Sequence, residues 1–229
     1  PIFDRPIIST NKIYEKLVRA ILKKKKIKNF TIVLEPLKKN TAPAIISSAL
    51  ISDIKTNQPI LFLPSDHHLP EKNKFNKILN SNLSNLNNNN IFIFSVKPNN
   101  PSSDYGYILS NKVKMKISKV IKFVEKPSEK YAKKIISQKG CWNSGIVLAR
   151  KDSIINNAKK IQKNLFNNCL NAIIKSKFKN KTISINKKHF SKIKGVSFDY
   201  AILEKAKEIN SIQLNQEWSD LGSWKEIFK

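Results

Sequence analysis

Short apolar runs alternate with longer amphipathic stretches through the first hundred residues of the chain. A continuous apolar run of four to six residues predicts a strand that is covered on both faces. Such runs, with a shorter one at the start, predict strands at 5–10, 30–34, 59–63 and 91–96. The stretches between them predict helices at 11–26, 41–54 and 70–86. This alternation indicates a parallel sheet with helices on both faces.

Two of these helices carry local signals at their first residues. Asn11 can cap the first, which places Ile13, Leu17, Ala20 and Ile21 on one apolar face. The second has a proline in its first turn, at position 43, where a missing N–H costs little.

The second half of the chain has a different pattern. Strands are predicted at 105–109, 113–125, 145–149 and 209–214, with a turn at 110–112 and a short extended piece at 182–185. Helices are predicted at 128–138, 151–158, 162–178, 198–205 and 221–228. This order adds an antiparallel edge and makes the sheet mixed. No repeat and no linker rich in Pro, Gly or Ser interrupts it, which favours a single domain over 1–229.

The net charge of +27 suggests a nucleic-acid partner, but the kind of basic residue argues against one. Only Arg5, Arg19 and Arg150 among the 43 basic residues are arginines, the type preferred for bidentate contacts to phosphate and bases. The lysines are spread along the whole chain. We therefore expect no nucleic-acid partner, although the charge should attract anions such as nucleotides and sugar phosphates.

Membrane and secretory signals are not evident in the sequence. No apolar run approaches the roughly 18 residues of a membrane span, so we expect no membrane partner. The two cysteines, Cys141 and Cys169, are too few for a disulfide framework. With no signal peptide at the start, the expectation is a reduced, cytoplasmic protein.

The segment LFLPSDHH (61–68) places Asp66 just beyond a predicted strand, as Glu35 is beyond another. In open α/β sheets, ligands bind outside the carboxyl ends of the strands. Asp66 with His67 and His68 could form a metal cluster, but adjacent residues on an extended chain point in opposite directions. A turn-forming role for Asp66 is the alternative that this segment alone leaves open.

Seven blocks occur in a fixed order along the chain. They are LEPLKKNTAPAI (34–45), LFLPSDHH (61–68), DYGYI (104–108), FVEKPS (123–128), WNSGIVL (142–148), FDYAILEK (198–205) and WSDLGSW (218–224). In this order they resemble the sugar-1-phosphate nucleotidyltransferases, in particular the bacterial mannose-1-phosphate guanylyltransferases. The resemblance implies a Rossmann-like α/β fold with a mixed, mostly parallel sheet and helices on both faces. It also implies a nucleotide-binding half at 1–100 and a sugar-phosphate-binding half at 101–229.

The reaction implied by this resemblance joins GTP and mannose 1-phosphate to give GDP-mannose and pyrophosphate. Both reactants are anions, so a magnesium ion is needed to neutralise charge and hold the phosphates together. By position in the motifs, Asp66 and Asp220 are the expected magnesium ligands, and Lys126 is the expected positive charge beside the phosphate. Capping of the last predicted helix is the competing role for Asp220.

The same resemblance assigns substrate contacts. Glu125 and Asn143 are expected to bind sugar hydroxyls, and Gly106 and Gly145 to let the backbone approach the sugar. A solvated strand end and strand kinks are the respective alternatives for Glu125 and the two glycines. The residues Asn40, Thr41 and Ala42 are expected to lie by the nucleotide base, with helix capping as the alternative for the first two. Asp199 and Glu204 lie in one of the blocks, but helix packing or capping explains them equally well.

One part of the family pattern is missing. The family begins with a strand and a glycine-rich loop that wraps the triphosphate, whereas the first glycine of this sequence is Gly106. We therefore expect the 229 residues alone to be nearly inactive. A non-catalytic subunit that binds nucleotide sugars, a regulatory subunit and an inactive gene remnant are the alternatives. The base, the sugar, the formation of a homo-oligomer and the roles of the cysteines stay open.

Overall fold

The computed structural model describes residues 3–51, 53–111 and 117–221. These residues form two compact units that interleave along the chain. The first contains residues up to Lys55 together with Ile155–Ile202, and the second contains Thr56–Ile154 together with the residues from Leu203 onward. The single domain over 1–229, with halves at 1–100 and 101–229, stays a prediction.

Strands and helices follow one another through both units. The strands are β1 Ile7–Asn11, β2 Thr31–Glu35, β3 Pro59–Phe62, β4 His67–His68, β5 Ile91–Val96, β6 Tyr107–Ser110, β7 Ile117–Val124, β8 Cys141–Arg150, β9 Lys177–Lys179, β10 Thr182–Ser184, β11 Ile209–Gln213 and β12 Ser219–Asp220. The α-helices are α1 Glu15–Lys24, α2 Thr41–Ala49, α3 Lys72–Asn80, α4 Glu129–Ser137, α5 Lys151–Ile161, α6 Lys163–Ile174 and α7 Lys187–Phe190. Short 3₁₀ turns occupy Lys12–Tyr14 and Leu83–Asn85, and a π-helical turn occupies Asp199–Leu203.

Most predicted elements are present with shifted ends. The predicted strand 91–96 coincides with β5, but the helix predicted at 162–178 ends at Ile174, and β9 follows it. The elements β4, β12 and α7 were not predicted, since runs of two to four residues carry no readable periodicity. Residues 112–116 of the predicted turn and strand, and residues 222–228 of the last predicted helix, lie outside the described residues.

The first unit has a four-stranded sheet in the order β1-β2-β10-β9. The β1–β2 and β2–β10 pairs are parallel, and the β9–β10 pair is antiparallel. All five residues of β2 are buried, as its continuous apolar sequence predicts.

Helix α1 packs on this sheet through a different face from the predicted one. Leu22 clusters with Ile32 and Leu34 of β2. Leu17 and Ile21 of the predicted apolar face are instead 58% and 50% exposed. The prediction was wrong because α1 has apolar residues on two faces, and periodicity alone cannot tell which one meets the sheet.

The second unit has a six-stranded sheet in the order β3-β8-β5-β11-β7-β6. A further pairing of β6 with β8 closes a ring of five strands. The long strand β8 lies between β3 and β5 and runs antiparallel to both.

The prediction of a mostly parallel sheet is wrong in this detail. Among the described strands the parallel pairs are β1–β2, β2–β10 and β5–β11, and the remaining pairs are antiparallel. The physical reason is β8, which comes from the second half of the chain and separates two strands that strand–helix alternation had made neighbours. The mixed α/β class is nevertheless present. No helix within residues 3–51, 53–111 and 117–221 is long and apolar enough to cross a bilayer.

Candidate functional site

Asp66 and Asp220 occupy neighbouring backbone positions in the second unit. Strand β4 pairs with β12, with Asp220 opposite His67. The backbone N–H of Leu221 donates to the carbonyl oxygen of Asp66 at 2.9 Å. Two acidic residues more than 150 positions apart in sequence are thereby held beside each other by main-chain hydrogen bonds.

His67 follows Asp66 in sequence, pairs with Asp220 across the two strands, and is largely buried. Its side chain is 12% exposed, against 57% for that of Asp66, and its Nε2 lies 3.9 Å from Asp66 Oδ1. Burial lowers the pKa of His67, whereas the carboxylates of Asp66 and Asp220 act in the opposite direction. The imidazole is therefore neutral at neutral pH, and both carboxylates lie close enough to influence it.

Trp218 contacts the other ring nitrogen of His67, Nδ1. Its indole N–H donates to His67 Nδ1 at 3.3 Å. The two rings meet edge to face, with their centroids 5.2 Å apart. Trp218 also packs edge to face on Tyr105, at 5.6 Å between centroids.

Gly106, which precedes β6, and Glu125, which follows β7, come together beside Asn143 of β8. A Cβ placed on Gly106 would lie 2.7 Å from Glu125 Oε2 and 3.5 Å from the Cβ of Asn143. The carbonyl oxygen of Gly106 accepts from the backbone N–H of Asn143 at 2.7 Å. The carboxylate of Glu125 thus lies directly against a position without a side chain, and an added methyl group would displace it.

Gly145 links this cluster to the Asp66 segment. It has φ +72°, in the left-handed region that other residues avoid. The β5–β8 register shifts between Ile93 and Ser95, so Gly145 lies in a β-bulge. A Cβ here would lie 3.3 Å from Pro64 and 3.4 Å from the His67 ring. The strand-kink alternative therefore describes Gly145, in a place that touches the segment carrying Asp66.

Lys126 is exposed and follows Glu125 with φ +45°, which is unusual for a residue with a Cβ. Strained backbone of this kind persists only where the surroundings impose it, and it concentrates at functional sites. One such constraint is Glu204, whose Oε1 accepts from the backbone N–H of Glu125 at 3.1 Å.

The predicted base-binding residues belong to the first unit, at the start of α2. Asn40 caps this helix: its Oδ1 accepts from the N–H of Thr41 at 2.8 Å, and its backbone has φ 68° and ψ −172°. Thr41 Oγ1 accepts from the N–H of Phe198 at 2.8 Å. Ala42 is fully buried, and its N–H donates to Val196. The capping alternative describes Asn40, and base binding stays a prediction for all three.

The backbone of Asn40 lies in a region that is almost restricted to glycine. Hydrogen bonds hold this conformation from both sides, because the carbonyl oxygen of Lys39 accepts from the N–H of Val196 and that of Val196 accepts from Ala42. Asn40 and Thr41 remain exposed beside this clamp. Of the three predicted base-binding residues, these two are thus the ones accessible to a ligand in this conformation.

The donor atoms near Asp66 fit a magnesium ion better than a transition metal. No group of three or more His, Cys, Asp or Glu side chains in the described part of the chain could hold a metal by itself. Magnesium prefers oxygen ligands and is usually bound by one or two carboxylates together with phosphates and water. Asp66 and Asp220 are two carboxylates on adjoining segments, and one ring nitrogen of His67 already accepts a hydrogen bond from Trp218.

Sequence reasoning considered His67 only as a possible metal ligand and Glu204 only as a member of a block that helix packing or capping explains equally well, and it gave Trp218 no separate role. His67 and Trp218 each lie one or two residues from a predicted metal ligand, and both occur in the blocks quoted above. Their proximity to Asp66 and Asp220 was the available signal. The hydrogen bond between them spans 151 residues, and only the fold brings them together.

Known proteins agree with the predicted family. Residues 2–229 match the family model for nucleotidyl transferase. The alginate biosynthesis protein AlgA of Pseudomonas putida is 29% identical over 231 residues, covering 99% of this chain and 48% of AlgA. An Escherichia coli mannose-1-phosphate guanylyltransferase is also 29% identical, over 98% of this chain and 50% of its own length. The chain thus spans about half the length of these relatives.

Solved structures establish the fold. A Helicobacter pylori protein named mannose-6-phosphate isomerase superposes with a TM-score of 0.86 at 24% identity, over 96% of this chain and 86% of its own. A Thermus thermophilus protein named mannose-1-phosphate geranyltransferase gives 0.81 at 20% identity, over 96% and 62%. The predicted nucleotidyltransferase fold is confirmed. With a family model that matches nearly every residue, the chain belongs to the nucleotidyl transferase family.

Proposed function

We propose that the chain is part of a mannose-1-phosphate guanylyltransferase, which joins GTP and mannose 1-phosphate into GDP-mannose with release of pyrophosphate. The observation that carries this proposal is the β4–β12 pairing, which holds Asp66 beside the segment of Asp220. Two carboxylates at adjoining positions suit a reaction between two phosphate groups. Support for guanine and mannose comes from the Escherichia coli relative, whose name specifies them.

In this proposal each residue has a separate task. Asp66 and Asp220 would hold a magnesium ion, which neutralises phosphate charge when bound. Exposed Lys126 would place an ammonium group beside the substrate phosphate. Glu125 and Asn143 would bind sugar hydroxyls next to Gly106, where the absence of a side chain leaves space. Asn40 and Thr41 would meet the guanine base.

The 229 residues contain no glycine before Gly106, so the glycine-rich loop of the family is not among them. Loss of a single donor aimed at developing charge typically lowers the rate about 10²- to 10³-fold. We therefore propose that this stretch by itself turns over slowly. A second candidate is a subunit that binds nucleotide sugars without catalysing their synthesis, since the cluster of Gly106, Glu125 and Asn143 would serve sugar binding alone equally well.

We propose a cytoplasmic setting for either function. Cys141 and Cys169 are both free thiols, as is usual in a reducing compartment. The proposed substrates agree with this setting, because GTP and sugar phosphates are metabolites of the cytoplasm.

Calorimetry and an assay of pyrophosphate release test these proposals together. We expect the purified chain to bind GDP-mannose, and UDP-glucose at least about tenfold more weakly. We expect Glu125→Gln to weaken GDP-mannose binding by about tenfold, since a hydrogen bond to a charged group is worth about 1.5–3 kcal/mol. Equal affinity for the two nucleotide sugars would contradict guanine and mannose. Pyrophosphate release at an ordinary enzyme rate, which we do not expect, would exclude the non-catalytic candidate.

A further inference from the structure

We infer that His67 is a positioning residue. Through the hydrogen bond that it accepts from Trp218, it fixes the positions of Asp66 and Asp220 relative to each other. This inference rests on the proposed function, because it concerns the two carboxylates assigned there to magnesium. His67 itself is not proposed to touch the metal or the substrate.

The backbone pairing of β4 with β12 is weak by itself. Strands β4 and β12 are two residues long each, and among the strands that the structure describes they pair only with each other. An isolated two-stranded pairing of much greater length is only marginally stable in water. The separation of the two acids therefore needs support from side chains.

The contact between Trp218 and His67 supplies such support. Trp218 precedes β12 and His67 begins β4, so their hydrogen bond of 3.3 Å joins the two segments across the pairing. The edge-to-face contact at 5.2 Å adds a second restraint on the same two rings. Because the indole nitrogen can only donate, Nδ1 must accept, and the proton of the neutral imidazole is on Nε2. That N–H lies on the side of Asp66, at 3.9 Å from Oδ1, which is too long for a direct hydrogen bond.

The rings of Trp218 and His67 are both held in place by their surroundings. Trp218 packs against the core cluster of Tyr107, Ala132, Ile135 and Trp142. The ring of His67 lies over Gly145, where even a methyl group would be in contact at 3.4 Å. The core thus fixes Trp218, the bulge of β8 leaves space for His67, and the bond between them fixes the two acidic segments.

Outer-shell residues that orient metal ligands typically contribute about 10- to 100-fold to metal affinity. The experiment therefore measures binding of Mn²⁺ alone, by electron paramagnetic resonance of the free ion, to the purified 229-residue chain. The double variant Asp66→Asn, Asp220→Asn gives the Mn²⁺ bound elsewhere on the protein. Binding in excess of that background belongs to the proposed site.

Three variants test the positioning role. We expect Trp218→Phe, which keeps the ring and removes the N–H, and His67→Ala each to weaken site-specific Mn²⁺ binding by about 10- to 100-fold. We expect His67→Asn to recover most of the loss relative to His67→Ala, because its amide oxygen occupies the place of Nδ1. The matched control is His68→Gln, which changes an exposed histidine one position along β4 and should leave the affinity unchanged.

The outcomes separate the inference from the proposed function. Equal binding by the unchanged chain and the double asparagine variant would overturn the metal site, and the inference with it. A lower affinity in the double variant, with unchanged affinity in Trp218→Phe, would overturn the positioning role alone. If His67→Ala does not fold, as judged by circular dichroism, Trp218→Phe decides. Equal losses in folded His67→Asn and His67→Ala would also count against the bond from Trp218.

Discussion

Asp220 lies directly opposite His67 in a two-residue antiparallel pairing, and the next backbone N–H donates to Asp66. The positions next to the pairing carry Trp218 on one strand and Asp66 on the other. Main-chain register therefore decides which residues of the two distant motifs face each other.

Replacement of Gly106 by alanine should weaken sugar binding through Glu125. The new Cβ would lie 2.7 Å from Oε2 of that residue, so the carboxylate must move. We expect the Kd for GDP-mannose to rise about tenfold, comparable to the loss of one hydrogen bond to a charged group. The measurement is calorimetric titration of Gly106→Ala, of Glu125→Gln and of the double variant. If the glycine acts through the carboxylate, the double variant binds no more weakly than Glu125→Gln, and additive losses would contradict this reasoning.

Gly145→Ala should destabilise the protein, because an L residue is strained at φ +72°. The left-handed conformation costs an alanine about 1–2 kcal/mol. Contacts at 3.3 Å to Pro64 and 3.4 Å to His67 add to this cost. The measurement is the shift of the thermal or urea unfolding transition. The control is Gly195→Ala, where the nearest atoms lie at 3.4–3.5 Å and φ is not in the left-handed range, so we expect little change. A Gly145→Ala variant as stable as this control would be incompatible with the bulge geometry.

The two faces of α1 should differ in their contribution to stability. Leu22 is 6% exposed and Leu17 is 58% exposed, although the sequence pattern placed Leu17 on the apolar face. We expect Leu22→Ala to cost about 2–5 kcal/mol of unfolding free energy and Leu17→Ala less than about 1 kcal/mol. Urea denaturation of the two variants provides the comparison. Since the substitutions are chemically identical and lie on the same helix, helix propensity cancels. The reverse order of stabilities would show that α1 packs through the face that carries Leu17 and Ile21.

Local sequence patterns predict some features of this fold, and others depend on contacts between distant parts of the chain. Burial of β2 and β5 follows from continuous apolar runs that need no partner to be recognised. The insertion of β8 between β3 and β5 depends instead on pairs of residues 46 to 91 positions apart in sequence, and no local period encodes them. For the site, the motifs indicated Asp66 and Asp220 in advance. The role of His67 required the position of Trp218, which is a property of the fold.

Neither cysteine should react with a thiol reagent in the folded protein. Burial raises the pKa of Cys169 to about 12, with a smaller contribution in the same direction from Glu35. Burial also raises the pKa of Cys141. Because the thiolate is the reactive form, we expect a disulfide reagent to label both thiols slowly at pH 8 in the folded protein. In 6 M guanidinium the pKa of each thiol returns to the ordinary cysteine value of about 8.5, so we expect both to be labelled fast. Rapid reaction of one thiol without denaturant would show that its surroundings open readily.

Glu35 should make stability fall as the pH rises above the ordinary range of a carboxyl group. It is 8% exposed at the end of β2, and Ser9 Oγ donates to its Oε1 at 2.9 Å. Burial raises the pKa of Glu35, and the bond from Ser9 only partly opposes this. Between the ordinary pKa of 4.5 and the raised value, the folded state binds more protons than the unfolded state. Glu35 therefore contributes stability at low pH that is lost as the pH rises through that window.

The substitution Glu35→Gln removes this titration while keeping an oxygen for Ser9. We expect the variant to be more stable than the unchanged chain at pH 7, with a smaller difference at pH 4.5, because the carboxyl group is then protonated in the folded state. Urea midpoints at a series of pH values between 4 and 8 measure the effect. Ser9→Ala is the companion variant: it removes the one described hydrogen bond to the carboxylate and should steepen the loss of stability with pH. A difference between Glu35→Gln and the unchanged chain that is constant across the series would mean that Glu35 does not titrate on folding.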